Sequence, residues 1–257
     1  MHQNYVLQPR LVPSQASRLE TEIASHSHLM ASSALFSGLL PVELREIAAC
    51  ARPRVFATDE ILFMQGHPVR THVLLESGSV KVTQVSPDGR EVLLWMNGPG
   101  ESVGIPNEAP GYRHAYSARA MPQCRALTWE DTRFQSLLRK YPQIGININR
   151  ILSVHLVELE QRFREIATEK VATRLSFALL RLAARVGTAR SGGIEVSLSR
   201  EELSQMIGTT IFTVSRILSR WGDEGFVSPR RDAVIICDSE RLLLAGATEE
   251  RLPAFIR

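Results

Sequence analysis

Ser199–Trp221 reads SREELSQMIGTTIFTVSRILSRW, two short helical patterns separated by one glycine. Ser199 is placed to cap the first helix, and Glu202, three residues on, can reach back to complete a capping box. Leu203, Met206 and Ile207 then fall on one helical face. Gly208 supplies the left-handed residue that ends such a helix, and Thr210 is placed to cap the next. In the second helix Val214, Ile217, Leu218 and Trp221 recur at i, i+3, i+4 and i+7, which predicts a buried stripe. Phe212, Ser215, Arg216 and Ser219 share the opposite face. An arginine, two hydroxyls and an aromatic displayed together suit a surface that reads base edges in a major groove. The plain alternative is a helical hairpin with a solvated outer face.

Working outward, the 257 residues suffice for one large or two modest domains. Hydrophobic residues make up 44% and charged residues 22%, ordinary for a globular chain, and the net charge is only +3. That excludes a histone-like basic protein. The charge is uneven: Glu169–Arg231 holds ten Lys and Arg against six Asp and Glu, which favours a polyanionic partner for the C-terminal part. Cys50, Cys124 and Cys237 are far apart and in no paired spacing, against a disulfide framework or a metal cluster. No secretory leader or run of about 20 apolar residues is visible, so the expectation is a cytoplasmic protein with no membrane role.

Residues 1–32 are polar with Pro9 and Pro13 and read as a poorly ordered extension, helical from about Ser17. Helical spacing follows from Ser33 to Ala51. From Arg54 to Trp129 the chain changes style to short β-type runs, RVFA, EILFM, THVLLES, SVKVTQV, EVLLWM, AYSARAM and CRALTW, separated by turn residues. SVKVTQV-SPDG-REVLLWM is a strong hairpin signal, and the whole predicts a small antiparallel barrel or roll. Helix returns from Gln143. Leu152, Leu156, Leu159, Phe163 and Ile166 step by 4, 3, 4 and 3, a seam of about two heptads flanked by charges. Such a seam fits a second copy of itself or the β domain. Lys170–Val186 is a further helix. FVSPRRDAVIIC, after the opening stretch, predicts a strand–turn–strand wing with Arg230 and Arg231 at its tip, suited to phosphates.

In this order the elements resemble the CRP/FNR family of bacterial transcription regulators, over about residues 33–240. The marks are LLESGSVKVTQVSPDGREVLLWMNGPGESVG, TEKVATRLSFALLRLA and the opening stretch. The resemblance implies an α+β fold. It comprises a cyclic-nucleotide-binding-like, jelly-roll β-roll over 33–140, a long dimerisation helix over 141–168 and a winged helix-turn-helix over 169–245, with a tail at 246–257. It implies a homodimeric regulator of activator type, not an enzyme, with double-stranded DNA, a second copy of itself and RNA polymerase as partners. The dimer interface would be Leu152, Leu156, Leu159, Phe163 and Ile166.

The DNA-facing set implied is Ser199, Arg200, Thr209, Thr210, Ile211, Phe212, Thr213, Ser215, Arg216, Arg220, Arg230 and Arg231. Of these Arg216 would bond a guanine in each half-site. The Ser215-Arg216 pair matches the FNR branch. The chain departs from the family in carrying Phe212 where a base-reading glutamate is common, and Ile211 where an arginine stands in CRP-like members.

For the effector pocket the matching residues are Gly100, Glu101, Ser102, Arg113, His114 and Tyr116. No Arg-Ser pair exists for a cyclic phosphate, and Leu159 and Glu160 replace the hydroxyls expected on the long helix. A phosphodiester needs a fixed guanidinium and donors, so cAMP in the usual geometry is not expected. The iron–sulfur cysteines of FNR are also missing. No cofactor is required and no metal site is expected, while His67, His72 and His114 keep a heme-dependent gas sensor as an alternative. A ligand-binding module that docks on a protein partner without DNA is the other.

Overall fold

The computed structural model describes residues 15–104, 111–121 and 123–246. The chain opens with α1 (Gln15–Ser32), a short 3-10 turn (Ala34–Phe36) and α2 (Pro41–Ala49). The extension is helical from Gln15, two residues before the start expected at Ser17, and the rest of the expected poorly ordered extension lies outside the described residues. Its apolar side chains are few, but Met30 is fully buried and Ile23 and Leu29 pack beside it against the first core. Tertiary contact, not an internal stripe, holds this helix.

Among the described residues eight strands follow: β1 (Arg52–Phe56), β2 (Ile61–Phe63), β3 (Thr71–Ser77), β4 (Val80–Val85), β5 (Glu91–Asn97), β6 (Ser102–Val103), β7 (Ser117–Ala120) and β8 (Cys124–Glu130). They form two four-stranded antiparallel sheets in the orders β1-β8-β3-β6 and β2-β7-β4-β5. The expected hairpin is β4–β5, with Val80 opposite Asn97 and Val85 opposite Glu91. Its turn closes through Gly89 N–H to the Ser86 carbonyl at 2.9 Å. Alternation along the strands sends Val73, Leu75, Val80, Val82, Ala118 and Ala120 into the space between the sheets. The other side of the first sheet carries Leu74, Leu127 and Trp129, which α1, α2 and the next helix cover. Trp129 donates to the Ile47 carbonyl at 3.1 Å, which satisfies its buried indole N–H.

Two helices come next, α3 (Asp131–Lys140) and α4 (Pro142–Thr168). The sequence reading began the helical stretch at Gln143 and omitted α3. That helix buries Phe134, Leu137 and Leu138 under the roll. At ~1.5 Å per residue α4 is about 40 Å long. Its base is fixed by fully buried Asn147, which donates to the carbonyls of Leu35 at 3.0 Å and Ser37 at 2.8 Å.

The remainder is α5 (Val171–Val186), β9 (Thr188–Arg190), β10 (Gly193–Val196), α6 (Arg200–Ile207), α7 (Ile211–Asp223), β11 (Val227–Pro229), β12 (Val234–Ile236) and α8 (Ser239–Gly246). A third antiparallel sheet, β11-β12-β10-β9, supports the helices. The expected tail at 246–257 lies outside the described residues after Gly246. The core here joins Leu175, Leu179, Leu203, Val214, Leu218 and Trp221, and Leu93 and Met96 of β5 enter the same cluster. The C-terminal unit is therefore packed on the roll through apolar contact. Gly98 marks how closely: a methyl group on it would stand 2.6 Å from the Arg185 carbonyl oxygen.

Candidate nucleic-acid interface

The caps at the two helices form as their residues predict. Ser199 Oγ accepts from Glu202 N–H at 3.2 Å, and the Glu202 carboxylate accepts from Ser199 N–H at 2.9 Å. Gly208 ends α6 in the left-handed region at φ 65°. Thr210 Oγ1 accepts from Thr213 N–H at 3.3 Å and starts α7. Val214, Ile217, Leu218 and Trp221 are buried, and the orientation of α7 follows from that stripe.

The opposite face is open. Phe212 is 82% exposed, Ile211, Arg216, Ser219 and Arg220 are exposed, and Thr213 and Ser215 are half-buried. Arg220 spends part of its charge on Glu224 at 3.8 Å. Thr210 is exposed, whereas Ser199, Arg200 and Thr209 are half-buried around the two helix starts. The wing forms between β11 and β12, where Arg230 N–H donates to the Ala233 carbonyl at 2.8 Å and Arg230 and Arg231 stay exposed. All twelve positions thus lie on α6, α7, their junction or the wing. Together they offer cationic donors, hydroxyls and one aromatic, the chemistry of a phosphate-anchored, base-reading surface.

Of the effector residues, Gly100, Glu101 and Ser102 line one cavity, and Arg113, His114 and Tyr116 are not among its lining residues. Glu101 sits at the β5–β6 turn, where its carboxylate accepts from Gly98 N–H at 3.0 Å and Asn97 Nδ2 at 3.1 Å. The same carboxylate pairs with Arg185 of α5 at 2.9 Å, so it faces the C-terminal unit. Gly100 and Ser102 flank it. Arg113 is exposed and donates to the Gly66 carbonyl at 2.8 Å. His114 is buried and stacks on Phe63 at 3.9 Å; Tyr116 meets Trp95 edge-on at 5.0 Å. Burial, then the neighbouring His72 and His67, pushes the His114 pKa down to about 4. An aromatic ladder of His114, Phe63, Tyr116 and Trp95 therefore fills this part of the roll.

Among the histidines weighed as heme ligands, His72 is bonded to Asp131 at 2.8 Å and stacked on Phe134, and His67 is exposed. Among the described residues no three His, Cys, Asp or Glu side chains gather to hold a metal ion, and no helix is long and apolar enough to cross a membrane.

The seam residues on α4 are open to solvent in the single chain: Phe163 at 76% and Leu156 at 58%, with Leu152, Leu159 and Ile166 exposed beside them. Charges on the other faces of α4 turn inward. Buried Glu165 accepts two bonds from Arg181, at 2.6 and 2.9 Å, and Arg162 bonds the Leu94 carbonyl.

Several residues that tie the C-terminal unit to the roll and to α4 carry no signal in the sequence. Lys81 on β4 pairs with Glu202 at 2.7 Å, both largely shielded. Burial raises the Glu202 pKa, but the bonds from Lys81 and Ser199 outweigh it and the net shift is downward. One carboxylate thus closes the α6 cap and ties α6 to the roll. Arg174 bonds the Ile166 carbonyl at 3.1 Å and the Gly208 carbonyl at 3.4 Å, linking the end of α4 to the α6–α7 turn. Partners 121 and 84 residues apart, as in Lys81–Glu202 and Arg185–Glu101, leave no local signal in a sequence.

Comparison with known proteins agrees with this arrangement. Residues 173–244 match the Crp-like helix-turn-helix domain and residues 53–141 the cyclic nucleotide-binding domain. A "CRP-like cAMP-activated global transcriptional regulator" of Mycobacterium tuberculosis is 29% identical over 217 residues, 83% of this chain and 96% of that protein. The transcriptional activator protein anr of Pseudomonas aeruginosa is 28% identical over 212 residues, 80% and 85% of the two chains. The crystal structure of a CRP-family transcriptional regulator from Thermus thermophilus superposes with a TM-score of 0.64 at 25% identity, over 75% of this chain and 96% of that one.

Proposed function

The chain is a DNA-binding transcription regulator of the CRP/FNR family, and we propose that it works as a homodimer whose two α7 helices enter successive major grooves. The observation that carries this reading is α7 itself. It buries Val214, Ile217, Leu218 and Trp221 and leaves Phe212 and Arg216 outside. The two-fold partner would cover the exposed α4 seam. Recognition helices related by that axis read half-sites about 34–36 Å apart, so the target is near-palindromic. Arg216 reads a guanine through paired donors, Arg230 and Arg231 hold phosphates, and Phe212 offers only apolar contact, as to a thymine methyl. We take the roll as 33–140 with α1 packed on it, the dimer helix as 141–168 and the reader as 169–245. Output through contact with RNA polymerase, as an activator in the cytoplasm, completes the reading.

The relative from M. tuberculosis is named for activation by cAMP. In this chain Glu101 is engaged by Arg185 and Arg113 by the Gly66 carbonyl. This supports a roll that does not take cAMP by the usual ribose and phosphate contacts. The test is selection of bound duplexes from a random pool with wild type and Arg216→Ala. Wild type should enrich a palindrome. The variant should lose about 1–3 kcal/mol per half-site and relax one G·C pair. Unchanged site selection by the variant would refute the assignment of α7.

A further inference from the structure

A cavity of about 1020 Å³ lies outside the aromatic interior of the roll, between the end of α1, the β5–β6 turn, α4 and α5. Leu29, Met96, Ile151, Leu182 and Met206 give it an apolar wall. Much of the polar wall is already used within the protein. Ser33 Oγ accepts from Leu35 N–H, Asn97 donates to Glu101 and Gln161 donates to Glu165. Two groups are left over. Arg162 bonds the Leu94 carbonyl and no carboxylate. His155 keeps Nδ1 buried with no hydrogen-bond partner among the described residues.

Both lie on one side of α4. At about 100° per residue they sit roughly a fifth of a turn from the seam. They also line a smaller cleft of about 220 Å³ against Trp95, together with Leu152, Leu156 and Leu159 of the seam, so a second copy on the seam would border this cleft. A half-buried guanidinium that forms no ion pair of its own, with Glu158 and Glu165 only near it, is costly, and a buried donor or acceptor left unpaired adds to that cost. Burial, then the guanidinium groups of Arg181 and Arg185, push the Arg162 pKa down to about 10 against the opposing pull of Glu158 and Glu165. Arg181 and Arg185 are held by Glu165, Glu101 and Glu158.

We propose that this cavity binds an amphipathic anion, an acyl chain ending in a carboxylate or a phosphate, with its head group on Arg162 and His155 and its chain along the apolar wall. The anion would stand beside Arg185 and compete with Glu101 and Glu158 for it. Binding would thereby loosen the contact between the β5–β6 turn and α5. The assignment of the site does not depend on the regulator reading; only its effect on DNA does.

The test is calorimetric titration of the full chain with dodecanoate, dodecyl phosphate and uncharged dodecanol, each below its aggregation concentration. At least one anion should bind at one site per chain, with dodecanol at least ten-fold weaker. Comparing the two anions identifies the head group. Arg162→Gln should weaken the anion at least ten-fold, and His155→Phe several-fold; circular dichroism melting checks that each variant is folded, and either one suffices. No binding of either anion to wild type, equal binding of dodecanol, or wild-type affinity in the folded variants would overturn the proposal. A mobility shift on the same samples is read separately. Anion binding without duplex selection would remove the DNA reading and leave this site standing.

Discussion

Phe163 is the residue at which dimerisation can be tested most sharply. It leaves 76% of its surface in water in the single chain. For a side chain of about 200 Å² that is ~150 Å² of apolar area per copy. At ~25 cal/mol per Å², covering it contributes about 4 kcal/mol. Alanine retains about a third of that area, so Phe163→Ala removes ~2–3 kcal/mol per copy and about 5 kcal/mol from a two-fold pair. With ~1.4 kcal/mol per decade the dimer dissociation constant should rise about 10³-fold, trimmed toward ~10² by the ordering costs of association. Because Phe163 is exposed in the chain, its removal creates no cavity and monomer unfolding should hardly change. Sedimentation velocity over a wide concentration range measures the first quantity, and urea unfolding at high dilution the second. A dissociation constant within three-fold of wild type, with the fold intact, would refute the seam. A collapse of monomer stability would refute its exposure.

Other expectations concern the reader and the roll. Arg230→Ala or Arg231→Ala should weaken all duplexes alike and lower the slope of log affinity against log salt by about one unit each, as read by mobility shift at several salt concentrations. Gly208→Ala should cost about 1–2 kcal/mol in urea unfolding, since its φ of 65° disfavours any L side chain while nothing lies within 4 Å of the new methyl. A His114 pKa near 4 means the unfolded chain takes up the proton first. Stability from this residue is present above about pH 6.5 and is lost as pH falls toward 4, on the order of 1–2 kcal/mol after solvent screening. His114→Phe, which keeps the ring on Phe63, should flatten that acid limb of the stability–pH curve.

The parts of the fold visible in the sequence are those set by nearby residues. Ser199 with Glu202, Gly208 and Thr210 fix both helix starts and the turn within a dozen positions. The β4–β5 hairpin is likewise written into its own alternation and its SPDG turn. What stayed hidden depends on distant partners. α1 has too few apolar residues to show a period, and only the surface offered by α2 and the roll makes Met30 a core residue. α3 follows β8 with no punctuating glycine or proline, so its Phe134, Leu137 and Leu138 merge with the strand pattern. β6 and β9 are two and three residues long, too short for any periodicity to register. At the effector pocket the sequence offers the Gly100-Glu101 pair only as a match to the family's pocket residues. Its carboxylate is engaged by Gly98 N–H and Arg185, one of them in the same turn and the other on a different unit, and the second partner leaves no local signal.

Gly98 carries a consequence in genetic terms. Every glycine codon is one base from an alanine codon, and the methyl so added would stand 2.6 Å from the Arg185 carbonyl oxygen. That neighbour is main chain and cannot swing aside as a side chain would, so the added atom acts as a wedge between roll and α5. A single inherited base change at this codon would separate the two halves without touching the reading surface, the ladder or the seam. On the proposed reading, position 98 is therefore where variants whose reader is uncoupled from the roll would be expected to arise.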